Sequence, residues 1–167
     1  MIEGFSLGVF MNVKQGYSYH IKDSFFSDVL DSALMSNKEN GNYRPHYYAI
    51  EDLNNTDVFW MIPISSKVSK YKKIIESKIK RNGKCSTIVI GKFAGKENAF
   101  LIQNAFPIKS IYLDHVHTIQ GTPITVHKNL DRELRTKLKE VIAMKKRGIN
   151  LFFTDVDMIL EAMNRLG

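Results

Sequence analysis

The chain is poor in the residues that several common chemistries require. It has a single cysteine, Cys85, which can neither form an internal disulfide nor build a cysteine-rich zinc site, and this fits a reducing compartment. No apolar run approaches the roughly 18 residues of a membrane span. The opening Met1 to Val13 lacks a basic start and a clear small-residue cleavage site, so no signal peptide is expected. Glycine-rich phosphate loops of either standard spacing are missing, which leaves nucleotide-driven chemistry without support. Repeats, low-complexity tracts and interdomain linkers are also missing. These absences point to a cytoplasmic protein with no membrane partner, no cofactor and no metal.

Acidic residues are the other shortage, 17 against 24 lysines and arginines in 167 residues. The resulting net charge of +7 and pI near 9.4 favour a polyanionic partner. With 44% apolar and 25% charged residues the composition is that of a folded protein. The length suits one domain, read over residues 17–167, with 1–16 as an N-terminal extension in which Met11 offers a second start. The positive charge is concentrated. Lys67, Lys70, Lys72, Lys73, Lys78, Lys80, Arg81 and Lys84 lie in one stretch opposed only by Glu76. Tyr71, Ile74, Ile75 and Ile79 interleave at helical spacing, so the stretch reads as an amphipathic helix ended by Asn82-Gly83. Its cationic face suits phosphates, or is simply a solvated surface.

Elsewhere the pattern gives an α+β fold. Strands are expected at 17–22, 46–51, 57–64, 86–93 and 97–103, with a further short one near Thr122 to His127. Gly91 and Gly95 suggest a turn or bulge between two of them. Asp23 reads as the cap of a helix carrying Phe25, Phe26, Val29 and Leu30 on one side. Ser36 to Asn42 reads as a polar loop. Leu130, Leu134, Leu138, Val141 and Ile142 mark a long helix that Gly148 terminates. Thr154 and Asp157 read as a capping pair for a last helix carrying Ile159, Leu160, Met163 and Leu166. Strand–helix alternation is not sustained, so the expected architecture is a compact curled antiparallel sheet with helices around it.

One constellation carries chemistry. Pro45 suits a strand start and pushes Arg44 into extended conformation. Arg44 and His46 then share a face by the two-residue strand period. The next strand ends in Ile64-Ser65-Ser66-Lys67, which brings two hydroxyls and an ammonium to a strand end where the basic helix begins. If the strands are neighbours, Arg44, His46, Ser65, Ser66 and Lys67 converge on one phosphate. RNA can be cut without metal by its own 2′-hydroxyl, provided the protein moves protons and stabilises the phosphorane. Histidine titrates near working pH, and the arginine fork matches two phosphate oxygens. Each residue also has an ordinary reading: an ion-pair partner, a strand histidine, a helix cap.

These residues carry a resemblance. Arg44 to Ile50 (RPHYYAI), Phe59 to Lys67 (FWMIPISSK), Ile88 to Lys92 (IVIGK) and Ala99 to Ile108 (AFLIQNAFPI) resemble, in order, the core of the ToxN/AbiQ/CptN toxins of type III toxin–antitoxin systems. The CptN branch is the nearest, and the resemblance spans roughly residues 17–166. The Arg-Pro and Pro-x-Ser-Ser pieces also resemble the more distant MazF/Kid toxins. The resemblance implies a MazF/Kid-like, SH3-like barrel core and a sequence-selective, metal-independent endoribonuclease that leaves a 2′,3′-cyclic phosphate and a 5′-hydroxyl. It further implies a role in phage defence by abortive infection. The inhibitor would be a small antitoxin RNA pseudoknot that the toxin processes and that closes with it into a ring-like assembly. The family's catalytic positions map onto Arg44, His46, Ser65 and Ser66, with Lys67 adjacent. The sequence departs from the family in two places: ToxN-like toxins carry a lysine near His46, and their basic residue after the serine pair is offset by one from Lys67.

RNA contacts are expected from Tyr19, Tyr43, Tyr47, Lys70, Lys72, Lys73, Lys80, Arg81 and Lys84, with Tyr17 and Tyr48 as further stacking candidates. Tyrosines on strands are often core, so only some of these should touch RNA. His115 and His117 alternate along a possible strand without a spaced third ligand, which reads as ordinary polar or packed histidines rather than a metal site. Asp155 and Asp157 read as helix-start chemistry. Three functional readings stay open: a metal-independent ribonuclease toxin, a non-catalytic RNA-binding protein, and a metal-dependent nuclease. A MazF-like toxin neutralised by a protein antitoxin is a variant of the first.

Overall fold

The computed structural model describes residues 13–166. Most of the expected N-terminal extension, residues 1–12, lies outside the described residues. Strand β1 (Ser18–Ile21) leads into the short helix α1 (Asp23–Asp28) and a hairpin, β2 (Lys38–Glu39) and β3 (Asn42–Tyr43). Strands β4 (His46–Glu51) and β5 (Val58–Ser65) precede helix α2 (Val68–Asn82). Then come β6 (Ile88–Phe93), β7 (Lys96–Leu101), β8 (Phe106–Lys109) and β9 (Leu113–Val116), with single 3₁₀ turns at 102–104 and 110–112. A second small hairpin, β10 (Thr118–Ile119) and β11 (Thr122–Pro123), leads to α3 (Lys128–Lys146) and α4 (Val156–Leu166).

Seven strands form one antiparallel sheet in the order β6-β7-β5-β4-β1-β9, with β8 also on β5. Strand β5 is shared: residues 58–61 pair with β8, while Ile64 and Ser65 pair with β7. Register irregularities in β4 and β1 bend the sheet. The path runs from β6 to β9 without closing, so the core is a curled sheet rather than a complete barrel.

Helices cover both faces. Trp60, Ile62, Ile64 and Phe100 pack with Leu134, Leu138 and Val141 of α3 on one side. Met61, Phe106 and Ile108 pack with Phe25 of α1 and Ile159 and Met163 of α4 on the other. Every residue of β5 is buried. This explains its unbroken apolar run, since a strand covered on both faces needs no polar alternation. Gly91 has a packing reason of its own: a Cβ there would lie 2.5 Å from Leu130 Cδ2, so a side chain would force the Leu130 side chain of α3 to move. The sharp turn between β6 and β7 belongs instead to Ala94-Gly95, both left-handed.

Several local expectations are corrected. Helix α1 ends at Asp28, and Leu30 is 80% exposed, because Val29 leaves helical geometry at the C-cap. Asp23 sits in the first turn rather than at the cap, and its carboxylate accepts from Asn37 and Tyr43 instead. In α2 the inward positions are Tyr71, Ile74, Ile75 and the half-buried Lys78, whose ammonium reaches Thr87 and Gln103, while Ile79 is 48% exposed. Thr154 does not cap α4. Its hydroxyl donates to the Ala105 carbonyl at 2.6 Å, and Asp155 Oδ1 accepts the Met158 amide. The polar stretch 36–42 is a hairpin turning at Asn40-Gly41, φ 54° and 82°. The strand expected near Thr122 to His127 is only β11, two residues long.

Candidate active site

Strand β4 starts directly after Pro45 and lies beside β5, with His46 opposite Pro63. The two segments singled out by the sequence are therefore neighbours. Arg44 is almost fully buried. Its backbone amide donates to Asn37, its Nε to the Ser36 carbonyl at 2.9 Å, and its Nη1 to the Ile64 carbonyl at 3.0 Å. These bonds tie the end of β5 to the β2–β3 hairpin and hold the guanidinium in one orientation.

What the guanidinium and both serines share is Glu39. Its Oε2 accepts from Arg44 Nη1 at 3.2 Å and from Ser65 Oγ at 2.7 Å. Its Oε1 accepts the Ser66 amide at 2.9 Å and the Ser66 hydroxyl at 2.7 Å. Burial alone would raise the Glu39 carboxyl, but the Ser66 amide, both hydroxyls and the Arg44 charge outweigh it and hold the group down at about 2, against an ordinary 4.5. Four donors converging on one carboxylate make an anion cradle. Glu39 was not a sequence candidate. The signal was present in Asn40-Gly41, the pair most favoured in two-residue hairpin turns, which places Glu39 at the turn of a hairpin instead of in a loop.

The cradle opens into a cleft of about 470 Å³. It is lined by Glu39, Tyr43, Arg44 and Ser66, and also by Lys96 of β7 and His117 just after β9. Lys67 is exposed beside it at the start of α2. His46 is not in the cleft. It is fully buried beneath it, against Phe106 and Phe26, with Nδ1 facing the Arg44 carbonyl at 3.1 Å and Nε2 without a partner. Burial, then the Arg44 charge, lowers its pKa to about 3, so the ring is neutral.

The tyrosines divide. Tyr43 is 42% exposed on the cleft rim, with its hydroxyl on Asp23 and Lys38 above its ring. Tyr19 and Tyr47 are core residues, bonded through their hydroxyls to the Lys14 amide and the Asp131 carboxylate. They have no face left for a base. Tyr48 is also buried. On α2, Lys70, Lys72, Lys73, Lys80 and Arg81 are exposed, as is Lys84 just beyond it. Lys72 pairs with Glu97 and Lys84 with Glu140, both at 3.1 Å.

His117 Nδ1 lies 2.7 Å from His20 Nε2, and His20 stacks on His115. Burial first, then its neighbours, lowers His20 to about 4, and burial and His115 lower His117. Among the described residues no group of three or more His, Cys, Asp or Glu side chains is arranged to hold a metal ion.

No family model matches the sequence, and no curated protein matches it. The fold is similar to that of AbiQ, a lactococcal anti-phage endoribonuclease belonging to the type-III toxin-antitoxin system. The TM-score is 0.67 at 15% identity, over 92% of this chain and 98% of that one. At that identity the likeness establishes a shared fold.

Proposed function

We propose that this chain is a sequence-selective endoribonuclease toxin of a type III toxin–antitoxin system, cutting RNA by 2′-hydroxyl attack without metal. One observation carries the reading: Arg44, Ser65 and Ser66 converge on a single anion, Glu39, with Glu39, Arg44 and Ser66 lining an open cleft beside a cationic helix and Ser65 buried behind them. A scissile phosphate entering the cleft meets Arg44 and Ser66 there and shares them with Glu39, whose own bonds stay made. The Arg44 fork and the hydroxyls of Ser65 and Ser66 then stabilise the phosphorane, for which each such donor is worth roughly 10²–10³ in rate. Lys67 adds charge at the rim, Tyr43 offers a stacking face, and Lys70, Lys73, Lys80 and Arg81 track the phosphate backbone. His46 supports from below, through the Arg44 carbonyl. The fold shared with an anti-phage ribonuclease and the motif resemblance support the same reading. From the motif resemblance we further propose an antitoxin RNA pseudoknot that the toxin processes and that closes with it into a ring-like assembly.

The test is direct. The purified protein is incubated with a pool of RNA of randomised sequence in EDTA, and the cut ends are sequenced and their chemistry typed. Cleavage at a recurring motif, with cyclic-phosphate and 5′-hydroxyl ends, is expected, and Ser66→Ala should abolish it. RNA bound but left intact would leave an RNA-binding protein instead. Cleavage that stops in EDTA would point to a metal-dependent nuclease. For the partner, co-expression with the upstream DNA should yield a protein–RNA complex whose mass collapses on treatment with an unrelated ribonuclease. A complex held by a second polypeptide would favour the MazF/Kid-like arrangement.

A further inference from the structure

We propose that His117 is the group that accepts the 2′-hydroxyl proton in this cleft, with His20 behind it as a positioning residue. The inference rests on the ribonuclease reading and adds the residue that reading lacks. The cradle supplies donors to a phosphate but no free base. Arg44 does not deprotonate in a protein. The Glu39 carboxylate is committed to four hydrogen bonds. His46 has no exposed surface. His117 lines the same cleft as Ser66 and Arg44, half-buried, with its ring against that of Phe93 at 5.6 Å between centroids.

The histidine pair admits the tautomer that a base needs. Two ring nitrogens 2.7 Å apart require one proton between them. When His117 Nδ1 carries it, His20 Nε2 accepts, and His117 Nε2 is left with a lone pair to take a proton. This is the arrangement in which a second group orients a base through its far nitrogen. The surroundings keep the pair neutral. His20 comes from β1, His115 and Asp114 from β9 and Phe93 from β6, while Arg44, Glu39 and Lys96 line the cleft. Burial and the other histidines disfavour a charge on either ring, and Asp114 opposes this only as the weakest influence on His20. The base is therefore unprotonated at neutral pH. In the reaction the 2′-hydroxyl proton passes to His117 Nε2 and the 2′-oxygen bonds to phosphorus. The bond from phosphorus to the 5′-oxygen breaks, and that oxygen takes a proton from water. His117 then returns its proton to solvent.

The test is a pH–rate profile under single turnover with the randomised RNA pool. The wild-type rate should show an acid limb that lies below the ordinary histidine range. His117→Ala should lose about 10²–10⁴ in rate together with that acid limb, and added imidazole should restore part of the rate. His20→Ala should keep the limb but move it toward the ordinary histidine range. Circular dichroism of each variant checks the fold. If His117→Ala does not fold, the wild-type profile alone decides, since a rate with no acid limb overturns the assignment. A folded His117→Ala with wild-type rate and profile, while Ser66→Ala is dead, overturns it and leaves the ribonuclease reading standing. A wild-type protein that cuts nothing removes both.

Discussion

Ser66 donates both its amide and its hydroxyl to one oxygen of Glu39, so a single residue contributes two of the four bonds in the cradle. The other two come from Arg44 and Ser65 on the opposite oxygen. The protein thus holds its own anion beside the place where a phosphate oxygen is proposed to sit.

A like charge in a binding site weakens an anionic ligand. Glu39→Gln should therefore bind RNA roughly tenfold tighter at low salt, measured by fluorescence anisotropy with the RNA pool. The same change removes charge-assisted bonds, so the urea midpoint should fall. Weaker RNA binding by Glu39→Gln would mean that the carboxylate organises the donors for RNA instead of competing with it.

Arg44→Lys keeps the charge but loses the fork that spans Glu39, Ile64 and Ser36. Cleavage should drop by about two orders of magnitude, and the fold should be weakened, since the buried carbonyls of Ile64 and Ser36 lose their donor. Rate and thermal midpoint are to be measured on the same preparation. A variant with native turnover would remove Arg44 from the chemistry.

On the basic helix, Lys73, Lys80 and Arg81 have no carboxylate partner among the described residues, whereas Lys72 and Lys84 are paired. Reversing the first three should lower the slope of log affinity against log salt by about one for each phosphate that is no longer neutralised. Reversing the paired lysines should lower it less. A slope unchanged by all five substitutions would make this face a solvated surface.

Stability should fall in acid for a stated reason. His46 titrates at about 3 when folded and near 6.5 when not, so the unfolded chain binds a proton the native chain refuses. His20 and His117 act in the same direction. The His46 contribution is complete above pH 6.5 and is lost as pH falls toward 3, at about 1.4 kcal/mol per pH unit in that window. Glu39 adds a loss of its own below its ordinary 4.5. Urea midpoints from pH 7 to 4 should show the decline, with His46→Asn reducing its slope by one proton. A flat profile would contradict the buried, neutral state of His46.

The parts legible in the sequence were those with a strong local period. Strand β4 falls where HYYAIE places it, and β5 within one residue at each end. Helices α2 and α3 follow their apolar stripes, and Gly148, at φ 92°, follows α3 as expected. Arg44, Ser65 and Ser66 meet because the Pro45 start and the Ser65-Ser66 end belong to neighbouring strands. His46 shows where local reasoning stops. The two-residue period expects Arg44 and His46 on one face, but only packing reveals that Arg44 lines the cleft while Phe106 and Phe26 cover the His46 ring. Strand β8 was hidden by Pro107, which argues against a central strand but is tolerated where a strand has a single partner, here β5. The histidine pair could not be read at all, because 97 residues separate His20 from His117 and only the β1–β9 ladder joins them.

The sharing of β5 between β8 and β7 has a consequence for synthesis. A nascent chain that has emerged only as far as Asn104 already presents Glu39, Arg44, Ser65 and Ser66, yet the first half of β5 has a vacant edge and His117 has not emerged. Translation must pass Lys109 before that edge is filled, and it must pass α3 before the Trp60 face is covered. On the reading proposed above, a ribosome-bound fragment is no nuclease, and a cell making this protein first meets its activity from finished copies.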